Sequence, residues 1–484
     1  MNYIEFSVFV IYFLFMLGIG LYFFFKSKNA GEKDYFLGGR NMGAWVSALS
    51  AGASDMSAWV LMGLPASVYA AGIGQTWIAI GLGLGYATSW ILEAPRLRRF
   101  SIAANDSITI PQYLTNRFLS KSKALQLLCA VIFLTAYTIY AASSVKACGT
   151  LFNTVMGIDP NVAMYGAAII IVAYTFMGGF SAVCWTDFFQ GLLMLGALLI
   201  APIFALAWVN AGNGGAAAAA LPDGYFNMVR DWREIVSGLG WGLGYFGMPH
   251  IIIRFMSLKS DKELKKSSVI GISWTLIILI MSVLSGIVGR MYFSSLITDD
   301  SLVFITMVRK IFPALVSGIL LSAILSAAMS TADSQLLASS ASFASDVYKP
   351  LFRKNAGDKE MLWAGRVVVL IISLVAVLIA SSPNSGSIMG LVENAWGVFG
   401  AAFGPVIMLS LFWKRLNFAG TVAGIAVGSL ADILWLALFS STGIYEIIPG
   451  CIAGILAAVI VSLCTKAPSQ EVTELFDKAA NTEI

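Results

Sequence analysis

Ser50-Ala51-Gly52-Ala53-Ser54-Asp55-Met56-Ser57 places a carboxylate and three hydroxyls inside an apolar run covering residues 43–65. A run of that length is what a helix needs to cross about 30 Å of hydrocarbon. A charged residue within such a run is costly, and it marks function by default. A second interruption follows at Gly238-Leu239-Gly240-Trp241-Gly242-Leu243-Gly244-Tyr245-Phe246-Gly247-Met248-Pro249, with five glycines and a proline in twelve residues. Each glycine lowers helix propensity by about 1 kcal/mol, and Pro249 has no N–H to donate. Unpaired backbone is tolerated at membrane depth only where it is buried in protein or lines a cavity. The plain alternative for the glycine run is close packing against another helix.

The composition agrees with a membrane solvent. Of 484 residues 58% are hydrophobic and 12% charged, with mean hydropathy +0.82; a soluble domain carries roughly 25% charge. The net charge of +4 is small and sits in short basic clusters between apolar runs, which argues against a nucleic-acid partner and for orientation in a bilayer. Cys129, Cys148, Cys184, Cys451 and Cys464 form no spaced set, so neither a disulfide framework nor a zinc site is indicated. A single histidine, His250, excludes a multi-histidine metal centre. The absence of a Walker A loop argues against ATP as the driving force. The first apolar run, 4–25, has no basic segment before it, is followed by Lys26 and Lys28, and lacks a cleavage site. It reads as a retained span rather than a signal peptide.

Thirteen such runs predict an all-α integral membrane protein: 4–25, 43–65, 73–94, 124–147, 160–180, 186–209, 234–256, 267–290, 311–342, 362–381, 388–413, 418–440 and 446–465. The interrupted runs are the second and the seventh. Each opens a five-helix unit, spans 2–6 and 7–11, and an odd number of spans per unit inverts the second unit in the bilayer. Paired broken helices in inverted halves point to a transporter's midplane site. The expected organisation of 1–484 is one polytopic transport domain. It comprises a peripheral first span and linker (1–42), a first repeat (43–209), a second repeat (234–413), two peripheral spans (418–465) and a tail (466–484). Placing the amino terminus outside gathers Lys26, Lys28, Lys33, Arg40, the 96–123 and 259–266 clusters, Lys349 to Lys359, Lys414 and Arg415 on the inner face. Only Arg230, Arg233, Arg309 and Lys310 then lie outside, as the positive-inside rule requires. A short interfacial helix is expected over Pro111–Phe118 on the cytoplasmic side, and 210–233 is the longest external loop.

Ala51–Ser57 followed by Trp59, Phe176–Ala182 followed by Asp187, Gly240–Pro249, Ser326-Ala327-Ala328-Met329-Ser330-Thr331, Gly400–Pro405 and Ile444–Gly450 together resemble the sodium:solute symporter family, and within it the bacterial sodium/proline branch. The resemblance runs over nearly the whole chain. It implies a leucine-transporter-type (LeuT-type) 5+5 inverted repeat, the same division as the one read above.

The resemblance also implies a sodium ion held by the carbonyls of Ala53, Met56 and Ala327 and the hydroxyls of Ser330 and Thr331, with Asp55 close by. The residues themselves agree in part, because Ala327, Ser330 and Thr331 share one helix face and an unwound helix supplies free carbonyls. Back-bonding of the hydroxyls to the preceding turn is the ordinary alternative, and pairing with Arg40 is the alternative for Asp55. Substrate residues map to Ser57, Trp59, Tyr140, Trp241, Tyr245 and Pro249. Aromatic faces attract a cationic nitrogen and pack an imino-acid ring; core stacking is the alternative for Trp241 and Tyr245. A second cation site is expected from Asp187, at the opening of the sixth span, with Ser330, Asp333 and Ser334.

Three charged residues stand apart from these motifs. Lys146 and Glu393 are expected to pair on the outer side, since a lone lysine in a span costs about 2.5–3.5 kcal/mol. Asp432 has no assigned role, and His250 is expected to be a hydrogen-bonded structural residue. The expected activity is sodium-coupled uptake of L-proline across a bacterial cytoplasmic membrane by alternating access. Sodium is the coupling ion, no catalysis or prosthetic group is implied, and no obligate protein partner is indicated. Competing readings are another small solute (pantothenate, a monocarboxylate, another amino or imino acid), a passive facilitator or channel, and a membrane sensor.

Overall fold

The computed structural model describes residues 2–26, 31–213, 221, 223–293 and 295–481. Lys28 and positions 214–220 and 222 of the external loop lie outside the described residues, as do the side-chain surroundings of 174, 177 and 178. Nine helical segments among the described residues are long and apolar enough to cross a membrane. They are α1 (Tyr3–Lys26), α8 (Ala124–Met156), the second half of α9 (Pro160–Trp208), α12 (Asp261–Tyr292), α14 (Ala314–Ser342), α15 (Asp358–Ala380), α16 (Ile388–Phe412), α17 (Phe418–Phe439) and α18 (Ile447–Cys464).

The other four expected spans are the interrupted or kinked ones. The second is α3 (Ala44–Asp55) with α4 (Gly63–Ala71), and the third is α5 (Thr76–Thr88) running through a widened turn into α6 (Ala94–Ala103). The fifth is the first half of α9, and the seventh is α10 (Trp232–Gly240) with α11 (Pro249–Ser257). Shorter helices α2 (Glu32–Leu37), α7 (Ile110–Arg117), α13 (Val303–Ile311) and α19 (Gln470–Asn481) complete the order. α7 falls where the short interfacial helix is expected; Thr109 caps it by accepting the Gln112 N–H, and Pro111 in its first turn needs no partner for the N–H it lacks.

The fifth and sixth spans differ from expectation. No loop separates them, and the chain turns at Gly179 (φ 62°, ψ −170°) within α9. This is backbone that essentially only glycine adopts, and a Cβ there would stand 2.8 Å from the Tyr35 ring. Asp187 therefore lies two turns inside the sixth span, fully buried, not at its opening. Gly179→Val is expected to cost about 1–3 kcal/mol from backbone strain alone, read as a lowered unfolding temperature of the purified protein.

The glycines of the seventh span pack as well as break. A Cβ on Gly242 would lie 2.3 Å from the Gly81 carbonyl oxygen, and one on Gly85 would lie 2.2 Å from that of Gly242. The two backbones of α5 and the seventh span are thus in direct contact, which small residues permit. Both readings of that run hold at once. α3 packs on α9, α11, α12 and α14, so the first interruption is enclosed on all sides by helices.

Candidate functional site

The second span opens at Met56 and Ser57, slightly later than its glycine and alanines suggest. α3 runs helically through Asp55; Met56 (φ −75°, ψ 70°) and Ser57 (φ −65°, ψ −171°) then leave the helix. The Ser57 N–H folds back onto the Asp55 carbonyl (2.8 Å) and the Val60 N–H onto the Ser57 carbonyl (3.1 Å). The carbonyls those two donors would pair with in a continuous helix belong to Ala53 and Met56. Both are thereby released. Ser330 on α14 uses one of them, its Oγ lying 2.7 Å from the Ala53 oxygen and 3.3 Å from that of Ala327. Thr331 Oγ1 donates to the same Ala327 carbonyl at 3.1 Å. Back-bonding along α14 and a bond across to α3 therefore coexist, and Ala53, Ala327, Ser330 and Thr331 form one oxygen cluster. Met56 is not hydrogen-bonded into that cluster.

Asp55 is fully buried and faces the seventh span. Its Oδ2 accepts from the Tyr245 hydroxyl at 2.5 Å, while Oδ1 has no hydrogen-bond partner. Its backbone carbonyl accepts from Trp59 Nε1 (3.3 Å) and the Tyr140 hydroxyl (3.5 Å). Ser57, Trp59, Tyr140 and Tyr245 thus gather around one residue at the mouth of the broken helix. Tyr245 stands edge-on to Tyr86 and Trp396, both at 5.1 Å. Trp241 is packed 5.0 Å from Tyr445, and its carbonyl accepts from Trp396 Nε1 at 2.8 Å. Trp241 and Tyr245 do stack in the core, as the plain reading holds, but around an opened backbone. Pro249 begins α11 immediately after the second interruption and is buried.

A sodium ion needs hard oxygen ligands. The donor set of freed carbonyls and hydroxyls fits that need, and so does the orphaned Asp55 oxygen, since a buried charge is stable only when paired.

One alternative reading and two expectations are corrected. Arg40 does not pair with Asp55; it binds Asp106 (2.7 Å), the Ser107 carbonyl (2.8 Å) and the Met256 carbonyl (2.6 Å). Burial would raise the Asp106 carboxyl, but Lys33 and Arg40 together hold it below the ordinary carboxylate range. Lys146 does not meet Glu393. Its Nζ donates to Ser385 Oγ (2.8 Å) and the Gly386 carbonyl, whereas Tyr445 donates to the Glu393 carbonyl at 2.9 Å. The ring nitrogens of His250 take no hydrogen bond; the residue is held through its backbone, its N–H donating to the Tyr137 hydroxyl at 2.9 Å and its carbonyl accepting from Arg254 Nη1. Asp432 is buried with both carboxyl oxygens unbonded, on α17 outside the site.

The expected second cation site also changes character. Asp187 Oδ2 accepts from Arg254 Nη2 (3.1 Å) and Ser50 Oγ (2.7 Å), and Arg254 reaches Ser334 Oγ at 2.5 Å. Ser334 Oγ in turn lies 3.2 Å from Asp333 Oδ1. Asp187, Asp333 and Ser334 do come together, with Ser330 one turn away, but a guanidinium already supplies the positive charge among them. Arg254 was missed in the sequence. The signal was present, because it is a lone arginine in an apolar run, open to the same argument that singled out Asp55.

The family model described as the sodium:solute symporter family matches residues 35–428. A high-affinity proline transporter of Bacillus subtilis is 43% identical over 476 residues, covering 96% of this chain and 99% of that one. A sodium/proline symporter of Escherichia coli is 41% identical over 483 residues, covering 97% and 95%. Among solved structures, a substrate-bound outward-open sodium-coupled sialic acid symporter aligns with a TM-score of 0.80 at 22% identity, over 96% of this chain and 99% of that one. That likeness establishes the LeuT-type fold. With a family model covering most of its length and full-length relatives above 40% identity, the chain belongs to the sodium:solute symporter family.

Proposed function

We propose that this chain takes up L-proline together with sodium by alternating access. The observation that carries the reading is the Ser330 hydroxyl bonded to the Ala53 carbonyl across a helix whose own donors have turned away. Sodium bound there, by the carbonyls of Ala53, Met56 and Ala327 and the hydroxyls of Ser330 and Thr331, ties the second span to the ninth. Asp55 offsets its charge and, through Tyr245, couples it to the seventh span. Binding energy spent in joining these elements favours the state in which the substrate residues are assembled. Ser57, Trp59, Tyr140, Trp241, Tyr245 and Pro249 then enclose the imino acid: ring against aromatic faces, cationic nitrogen toward the π clouds.

The relatives' names supply the solute and the ion: one is called a proline transporter and the other a sodium/proline symporter. The basic residues support an orientation with the amino terminus outside, in a bacterial cytoplasmic membrane. In that frame 43–209 and 234–413 act as the two repeats, and α1, α17 and α18 are peripheral. Proline carries no net charge, so each sodium moved inward gains about 2.3 kcal/mol per 100 mV of membrane potential.

The test is radiolabelled L-proline uptake by the full chain in proteoliposomes under an imposed inward sodium gradient. Transient accumulation above equilibrium, abolished by a sodium ionophore, is expected. Equilibration alone identifies a facilitator, and accumulation of pantothenate or a monocarboxylate instead identifies another solute. Asp55→Asn keeps an acceptor for Tyr245 but removes the charge. It is expected to raise half-saturating sodium at least tenfold while the proline KM at saturating sodium changes much less.

A further inference from the structure

An apolar groove of about 400 Å³ lies between the seventh span, α16 and α18. Leu243 and Phe246 of the second interruption form one wall, Met408 and Phe412 of α16 another, and Ile455 of α18 closes it. Phe412 and Ile455 are exposed, so in a bilayer the groove opens to lipid. A Cβ on Gly404 would stand 3.4 Å from the Leu243 carbonyl oxygen and 3.5 Å from Phe246 Cβ. Here α16 lies directly on the interrupted backbone, and whatever fills the groove touches the stretch that carries Trp241 and Tyr245. From Gly404 to Phe412 the groove follows eight residues of α16, about 12 Å at 1.5 Å per residue. That is close to the depth of one leaflet in a hydrocarbon core about 30 Å thick.

The Phe412 end of the groove carries a charge. Arg96 on α6 lays its guanidinium over the Phe412 ring, 4.5 Å from the centroid. Its neighbours Arg98 and Arg99 share Asp261, each at 2.8 Å. No carboxylate among the described residues pairs with Arg96, and its Nε is buried without a hydrogen-bond partner. The aromatic face steadies the cation but supplies no counter-charge. A guanidinium fork binds a phosphate through two parallel hydrogen bonds, and basic residues between spans on the cytoplasmic side suit anionic lipid headgroups. In the orientation argued above, Arg96 lies on that side. A slot one leaflet deep that ends at an uncompensated arginine fits a molecule with an apolar chain and an anionic head. Free phosphate would leave the slot unfilled, and a neutral chain would leave Arg96 without its anion.

We propose that this groove binds one anionic phospholipid of the inner leaflet, with an acyl chain along α16 and the phosphate on Arg96. Its chain lies against the interrupted seventh span, so occupancy steadies that span. The choice of leaflet rests on the orientation above; the binding does not depend on proline being the solute. The test is native mass spectrometry of the purified full chain, titrated separately with dioleoyl phosphatidylglycerol and dioleoyl phosphatidylcholine, which share the same chains. The wild type should hold one phosphatidylglycerol roughly tenfold or more tightly than phosphatidylcholine, the worth of charge-assisted hydrogen bonds to one phosphate. Arg96→Gln should abolish that preference. Met408→Trp fills the groove, keeps the arginine, and should lose the tight lipid. Phosphatidylglycerol should also raise the unfolding temperature of the wild type more than phosphatidylcholine does, since a ligand of the folded state stabilises it. Glycerol 3-phosphate, a headgroup without chains, should do neither.

Equal retention of the two lipids by the wild type overturns the site, and so does a preference unchanged in both variants. A dimer that Met408→Trp abolishes would assign the groove to a second copy of this chain, and overturns it as well. If one variant is lost to misfolding, judged by size-exclusion profile, the other decides. Each of these outcomes leaves the transport reading to its own uptake test.

Discussion

Replacing Ser330 and Thr331 together by alanine is expected to weaken sodium activation of uptake on the order of a hundredfold or more, because hydrogen-bond-strength contacts to a charge are worth about 1.5–3 kcal/mol each. The fold should survive. Thr331 serves only the Ala327 carbonyl on its own helix, at 3.1 Å, and Ser330 shares its hydroxyl between that carbonyl at 3.3 Å and the Ala53 carbonyl at 2.7 Å; the back-bonds contribute little to stability. The one cross-helix bond lost is that to Ala53. Uptake measured across a sodium titration, alongside thermal unfolding, separates the two effects. An unchanged sodium half-saturation with a normal unfolding temperature would remove the ion from this position. Ser330→Thr keeps an oxygen at the site and should recover most of the activity.

The second large effect concerns Arg254. Arg254→Met leaves Asp187 fully buried without its ion-pair partner, which typically costs 3–5 kcal/mol, i.e. about that much here. The loss should appear as a sharply lower unfolding temperature and poor recovery from membranes. The partners of this arginine lie on four elements: Ser50 on α3, Asp187 on α9, the His250 carbonyl on its own α11 and Ser334 on α14. The double variant Arg254→Met with Asp187→Leu removes both charges and should regain most of the stability, since buried pairs are often replaceable by apolar residues. A single variant as stable as the wild type would mean that the pair does not hold these helices together.

How much of this was legible beforehand depends on the range of each interaction. The thirteen spans and the two interruptions follow from local chemistry, and the structure has them: runs of apolar residues make spans, and glycine, proline and a stray carboxylate break them. The oxygen cluster was partly legible, because Ala327, Ser330 and Thr331 share a face whatever they meet. The Lys146–Glu393 pairing failed for a simple reason. Both residues were placed near the outer surface by counting along helices, but counting gives depth and not azimuth; Lys146 faces the 385–386 loop while Glu393 lies beside Tyr445. The Asp55–Arg40 alternative failed in the same way, with Arg40 turned toward Asp106.

By itself the sequence determined that the chain lives in a bilayer, which stretches of it form the spans, and which two of them cannot remain continuous. These are properties of a residue and its near neighbours, set by burial of apolar surface and by the cost of unpaired backbone in hydrocarbon. Tertiary structure alone decided which buried charges meet. Asp187 takes Arg254, Asp55 takes Tyr245, and Lys146 takes a loop carbonyl and a serine hydroxyl. In a medium with no water to accept an orphan charge, partners are selected by which faces the helices turn toward one another, and that rotation is fixed by packing across the whole bundle.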